Sequence, residues 1–190
     1  MKLFFNKPSP YARIVRIVAH EKQLIERIEM RDVDPWSDPP ELLAATPLSK
    51  VPALVTDDGL LITESGTISL FLDTIGDGPK LAPEGWEPQA RAALAHGLID
   101  AAFITVIERR RPQDRQWPDW CDRQRRAIDR TLNVVTVRRG RFDLGDITLA
   151  AALAYLDFRL PEIAWRDAHP DLAQWLDAVN QRPSMRATTP

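Results

Sequence analysis

The sequence predicts a mixed α/β domain followed by an all-helical domain, and three observations carry that prediction. From Lys2 to Gly76, short apolar runs that suit strands alternate with segments of helical period. Two of those runs flank Asp57-Asp58-Gly59, a hairpin signal. Beyond a Pro- and Gly-rich stretch from Gly78 to Pro88, every periodic segment has helical spacing. A chain of 190 residues can form one large domain or two small ones without disulfides. The change of pattern therefore divides it, into residues 1–78, a linker over 79–88 and a helical domain over 89–190.

Leu3 to Phe5 is stopped by Asn6-Lys7-Pro8, which suits a buried strand because the run is too short for a helix. Ser9-Pro10 reads as an N-cap followed by proline at the first helical position, and Ile14, Ile17 and Val18 recur at helical spacing within Tyr11 to Lys22. Ile28 to Val33 alternates apolar and charged residues, as a half-buried strand does. The following Asp34-Pro35-Trp36-Ser37-Asp38-Pro39-Pro40 cannot continue any regular element. Glu41 to Ala45 makes a short helix, and Pro52 to Thr56 and Leu60 to Thr63 are the hairpin strands. Ser65 to Ile75 forms a helix, with Ser65 as its natural cap and Gly76 suited to a left-handed terminus. A parallel first pair joined by a crossover helix, followed by an antiparallel hairpin and a helix, gives a mixed four-stranded sheet in βαβ-ββα order. Gln89 to Arg111, Trp120 to Arg138, Ile147 to Phe158 and Asp171 to Val179 are the later helices.

Composition narrows the function classes. A net charge of -2 and a pI near 5.9 give no basic footprint for nucleic acid, and Arg109-Arg110-Arg111 reads as a solvated helix end. Cys121 is the one cysteine, so an intrachain disulfide and a cysteine-rich metal site are excluded. It reads as a small apolar residue within a helix rather than a nucleophile. The apolar start of the chain is too short for a signal peptide, and no later run approaches the roughly 20 apolar residues of a membrane span. The expectation is a cytoplasmic, soluble protein with no membrane and no nucleic-acid partner.

Three features can carry chemistry. Ser9 sits where free amides and the helix dipole favour an anion, so its hydroxyl either caps the helix or stabilises a bound thiolate. In Lys50-Val51-Pro52-Ala53-Leu54, proline opens a strand after a turn; a cis bond there would turn the Val51 backbone outward to pair with a peptide-like ligand, and a plain strand start is the alternative. At Thr63-Glu64-Ser65-Gly66, the helix start suits a carboxylate and Glu64 suits an ammonium, which together match the zwitterionic end of an amino acid; simple capping is again the alternative.

Taken together these residues resemble the cytosolic glutathione transferase family, in its bacterial Ser/Cys-Pro branch. Ser9-Pro10-Tyr11 is similar to the catalytic element, Pro47-Leu48-Ser49-Lys50-Val51-Pro52-Ala53-Leu54 to the cis-proline segment, and Glu64-Ser65-Gly66-Thr67-Ile68 to the γ-glutamyl signature. Asp143-Leu144-Gly145-Asp146, flanked by Phe142 and Ile147, has the spacing of a capping box and staple and resembles the family's buried folding motif. Asn180-Gln181-Arg182-Pro183-Ser184 is similar to the end of its last long helix. The resemblance implies a thioredoxin-like first domain that binds glutathione as co-substrate, without metal. Ser9 would stabilise the thiolate, Val51 with Pro52 would pair with the cysteinyl backbone, Glu64 and Ser65 would hold the γ-glutamyl end, and Lys50 would face the glycyl carboxylate unless it is a solvated loop cation. A small hydrophobic electrophile would lie in a cleft between the domains against Tyr11, Phe103, Ile107 and Trp117, for each of which core packing is the alternative.

The expected activity is transfer of the glutathione thiolate to that electrophile, a detoxification chemistry, in a homodimer. The competing reading is a non-catalytic glutathione-binding or regulatory protein on the same fold. Thiol-transferase chemistry at Ser9 is disfavoured, because a hydroxyl cannot form the mixed disulfide. A translation-associated module would need a basic face that the net charge does not suggest.

Overall fold

A computed structural model describes residues 1–138 and 140–190 of the chain. Strands β1 (Lys2–Phe5), β2 (Glu29–Asp32), β3 (Ala53–Val55) and β4 (Leu61–Thr63) form one sheet in the order β2-β1-β3-β4. Strand β1 pairs parallel to β2 and antiparallel to β3, and β3 pairs antiparallel to β4. The central β1 buries Leu3, Phe4 and Phe5 in succession, as a strand covered on both faces must. Strand β2 is mostly exposed rather than half-buried, because it lies at the sheet edge; Val33, the residue just beyond it, is the one that joins Phe4, Leu42 and Ala53 in the core. The hairpin turns at Gly59, whose φ of 86° is left-handed.

Helix α1 (Pro10–Glu21) makes the crossover, α2 (Pro40–Ala45) is the short helix, and α3 (Ser65–Ile75) follows the hairpin and packs on α1. Two expectations about α3 fail. Ser65 is its first helical residue and is buried, while the cap position is taken by Glu64, whose side chain makes no cap bond. Gly76 is extended, with φ −95° and ψ 158°. Its role is close approach: a Cβ there would lie 2.5 Å from Lys22 Cβ, and one on Gly78 would lie 1.8 Å from the Glu21 carbonyl oxygen. These two glycines let the chain leaving α3 run against the end of α1. The Lys22 ammonium is buried there, donating to Gly78 O at 2.9 Å and Pro79 O at 3.0 Å and pairing with Asp73 at 3.2 Å. Burial works to raise the Asp73 carboxyl, but amide bonds from Leu81 and Ala82, together with Lys22, outweigh it and hold the pKa below its ordinary value.

The chain divides into two compact units, Met1–Pro83 with Arg182–Pro190, and Glu84–Gln181. The last nine residues thus return to the first unit, where α9 (Pro183–Ala187) packs on α1. Arg13 and Arg16, both buried, donate to Met185 O at 3.4 Å and Ala187 O at 3.3 Å, and Arg182 pairs with Glu21 at 2.7 Å. Burial, reinforced by Arg16, pulls the Arg13 guanidinium down to about 10.

The second unit is built from α4 (Glu87–Glu108), α5 (Pro118–Leu132), α6 (Leu144–Arg159), α7 (Trp165–Ala168) and α8 (Pro170–Val179). Helix α6 is its centre, buried almost continuously from Leu144 to Leu156 and packed on α4. The expected capping box is complete: Asp143 accepts from Asp146 N–H at 3.1 Å, and Asp146 accepts from Asp143 N–H at 3.2 Å. Arg91 of α4 closes it, donating to both Asp143 oxygens at 3.2 Å and to Asp146. Gly145 permits this, since a Cβ there would stand 2.9 Å from Arg91 Cβ. Helix α4 is long and apolar enough, by length and composition, to cross a membrane, which the run-by-run reading of the sequence does not anticipate. It packs against α5 and α6.

Candidate functional site

Sheet topology brings the three chemical features of the first unit to one end of the sheet. Register pairs Phe4 with Ala53 and Ala53 with Thr63, so the end of β1, the start of β3 and the end of β4 lie side by side. The segments that continue from those strand ends carry Ser9, Val51-Pro52 and Glu64-Ser65. None of the three is near another in sequence; the antiparallel pairings of β3 make them neighbours.

Ser9 is half-buried at the N-cap of α1, extended at φ −76° and ψ 120°. Its Oγ accepts the Ala12 N–H at 3.2 Å, and its own N–H donates to Asn6 O at 3.0 Å. The Asn6 amide in turn donates to Val33 O at 3.0 Å, which ties the loop carrying Ser9 to the end of β2. A serine hydroxyl has one proton and two lone pairs, so accepting from Ala12 leaves the proton available for an anion. Capping and donation are compatible at this residue.

The Val51–Pro52 peptide bond is cis. Pro52 is buried at the threshold of β3, Val51 is half-buried, and among the described residues the Val51 backbone has no backbone hydrogen-bond partner. The preceding turn is fixed by Ser49, held at φ 47°, whose hydroxyl donates to Pro35 O at 3.2 Å. Lys50 is exposed and makes no ion pair among the described residues.

Glu64 is exposed and sits at φ 66° and ψ 124°. A non-glycine residue in that region costs on the order of 1–3 kcal/mol and persists where the surroundings require it. The outcome is an outward carboxylate beside the α3 N-terminus, where the Gly66 and Thr67 amides have no intrahelical acceptor and Gly66 faces open space. A carboxylate acceptor and a set of free amides one residue apart can grip an ammonium and a carboxylate together.

The expected electrophile-binding residues divide between the units. Tyr11 is half-buried in the first turn of α1. Phe103 and Ile107, spaced to share a face of α4, are both half-buried rather than core residues. Trp117 is 59 % exposed and stacks on Trp120 with ring centroids 5.7 Å apart, and its backbone N–H donates to Glu108 Oε1 at 2.9 Å. Cys121 is half-buried on α5, and burial followed by the Glu108 charge pushes its thiol up, away from the thiolate form a nucleophile needs. Arg109 pairs with Glu162, and Arg111 pairs with Glu108 at 3.1 Å, as a solvated helix end would. Among the described residues no group of three His, Cys, Asp or Glu side chains is placed to hold a metal.

Sequence reasoning does not find Asn6, because its role as a tether depends on the β1–β2 pairing. It also misses Arg91, whose partners stand on another helix.

Comparison with known proteins agrees with this fold. Residues 8–75 match the model of the glutathione S-transferase N-terminal domain and residues 89–178 that of the C-terminal domain. The GST-like protein YibF of Escherichia coli K12 is 30% identical over 201 residues, covering 100% of this chain and 98% of its own. The crystal structure of a glutathione transferase family member from Pseudomonas fluorescens Pf-5 with bound glutathione superposes with a TM-score of 0.94 at 37% identity, over 100% of this chain and 98% of the other. Elongation factor 1-gamma of Carassius auratus is 29% identical over 157 residues, 75% of this chain and 34% of the factor. With both halves of the fold matched in order and the sheet end arranged as described, this chain belongs to the glutathione S-transferase family.

Proposed function

We propose that the protein is a glutathione transferase, which binds glutathione at the sheet end of its first unit and transfers the thiolate to a small, largely hydrophobic electrophile. The observation that carries this reading is the convergence of Ser9, Val51 and Glu64-Ser65 at one end of the sheet. The similar Pseudomonas protein with glutathione bound supports the ligand.

Each residue then has a task that its chemistry allows. The Ser9 hydroxyl donates to the cysteinyl sulfur and, with the α1 dipole, favours the thiolate. The Val51 N–H and C=O pair with the cysteinyl backbone as an added strand would, and Pro52 fixes their direction. Glu64 takes the γ-glutamyl ammonium, while Ser65 and the first α3 amides take its carboxylate. Lys50 faces the glycyl carboxylate. Of the candidate electrophile contacts, Tyr11 belongs to the first unit and Phe103, Ile107 and Trp117 to the second, and the partial exposure of each suits ligand contact better than core packing. The assembly is a soluble, cytoplasmic homodimer.

The similarity to elongation factor 1-gamma favours a second reading, in which the fold binds glutathione or a protein partner without catalysis. Isothermal titration of glutathione into wild type and Glu64→Gln tests the ligand. Loss of the ion pair with the ligand ammonium is expected to weaken binding about tenfold or more. No heat of binding in the wild type would overturn both the ligand and the activity.

A further inference from the structure

A side-chain amide joins the turn that carries Ser9 to the sheet. In a parallel ladder, a residue that donates to one partner accepts from the residue two places further along that partner strand. Val33, just beyond β2, donates to Phe5 O at 2.8 Å, so the next rung requires Lys7 N–H to reach Val33 O. Strand β1 has ended by then, and Lys7 N–H makes no backbone hydrogen bond among the described residues. Asn6 supplies the donor from its side chain instead, with Nδ2 bonding to Val33 O at 3.0 Å. The ladder gains one more rung while the backbone is released to turn towards α1.

The backbone of Asn6 holds Ser9. Its carbonyl accepts Ser9 N–H at 3.0 Å, closing the turn Asn6-Lys7-Pro8-Ser9, and Ser9 O accepts Arg13 N–H at 3.0 Å as α1 begins. At the other end of the tether, Val33 is buried with Phe4, Leu42 and Ala53, and Val51 packs against that same cluster. Ser9 and Val51 thus share one anchor, Ser9 through the two hydrogen bonds of Asn6 and Val51 through apolar contact. Close packing gives the anchor little room to shift, whereas in the turn Lys7 is exposed and Pro8 and Ser9 are half-buried. Lys7 also reaches Asp32 on β2 at 3.9 Å, but both side chains are exposed, and such a pair holds a turn weakly.

We infer that Asn6 is a positioning residue for Ser9, acting through its bond to Val33. Resting on the glutathione reading, it keeps the Ser9 hydroxyl where it can donate to the sulfur of a ligand whose cysteinyl backbone is paired with Val51. A small displacement of a group that acts on a reacting atom costs far more rate than binding.

The test compares wild type with Asn6→Ala, which removes the amide, and Asn6→Gln, which keeps it one methylene further out. In Asn6→Ala the thiol of bound glutathione is expected to titrate closer to the free value of about 8.5, and turnover with chlorodinitrobenzene should fall about tenfold or more. Affinity for S-methylglutathione, whose sulfur has no proton to lose, should stay within about twofold. Asn6→Gln should recover part of both losses. Wild-type thiol titration and turnover in Asn6→Ala, with only a lower melting temperature, would make Asn6 a stabilising residue and overturn the inference. A loss of S-methylglutathione affinity as large as the loss of turnover would also overturn it, because the whole site rather than Ser9 would have moved. Should wild type bind no glutathione, the glutathione reading falls, and amide hydrogen exchange decides whether Asn6 places Ser9. Faster exchange of Ser9 N–H in Asn6→Ala, against an unchanged Ile68 N–H on α3, upholds that placement, and exchange of Ser9 N–H at the wild-type rate overturns it.

Discussion

Ser9→Ala is expected to lower the turnover of glutathione with chlorodinitrobenzene by about 100-fold or more, the effect of deleting one donor aimed at an anionic reacting atom. Glutathione affinity should change little, because the γ-glutamyl and cysteinyl backbone contacts assigned to Glu64, Ser65 and Val51 are untouched. The hydroxyl has a second task, since it accepts the Ala12 N–H at 3.2 Å. Loss of that cap destabilises α1 by about 1 kcal/mol. The two roles separate in Ser9→Asn, which retains a side-chain acceptor for Ala12 but replaces the hydroxyl. Stability should return toward wild type in Asn while turnover stays low. Turnover near wild type in Ser9→Ala would reduce Ser9 to a helix cap and assign stabilisation of the thiolate to another group.

The largest expected loss of stability lies far from that chemistry, in the second unit. Asp146→Ala removes a carboxylate with no exposed surface, which pairs with Arg91 and accepts the Asp143 N–H at 3.2 Å. What remains is a largely buried guanidinium with Asp143 as its sole acidic partner inside the box and an amide with no acceptor. Breaking a buried ion pair on one side costs about 3–5 kcal/mol. Urea unfolding followed by tryptophan fluorescence measures this well, because Trp36 is the one tryptophan in the first unit and the other five report the second. Arg91→Met should cost less than Asp146→Ala if the box itself carries part of the energy, and more if the two carboxylates repel once the cation is gone. An Asp146→Ala loss below about 1 kcal/mol would show the box to be dispensable.

Features set by near neighbours in sequence were legible before the structure. The Asp57-Asp58-Gly59 turn, the Ser9-Pro10 cap and the Asp143/Asp146 box each need only residues within a turn of one another, and each forms as expected. The candidate site residues were singled out through a resemblance of three separated motifs, and the antiparallel pairing of β3 with both β1 and β4 brings those motifs to one end of the sheet.

What could not be read depends on distant partners. Arg91 looks like an ordinary helix arginine until α6 is placed beside α4. The role of Gly76 and Gly78 appears only once the chain after α3 lies against Glu21 and Lys22. Val134, Val135 and Val137 continue an apolar pattern past Leu132, but their branched side chains favour helix weakly, and α5 ends before them. Helix α9 is too short to show a period, and its attachment to Arg13 and Arg16 links residues at opposite ends of the chain. In the sequence Glu64 stands just before a serine cap; the backbone instead turns left-handed at Glu64 and moves Ser65 into the helix.

The most direct test of the central claim is the ionisation of bound glutathione, followed as thiolate absorbance in the ultraviolet while the pH of the complex is varied. A free thiol titrates at about 8.5. The arrangement of Ser9 at the α1 N-terminus predicts a bound thiol that titrates well below that value in the wild type and returns toward it in Ser9→Ala. A bound thiol that titrates at its free value in both proteins would contradict the account.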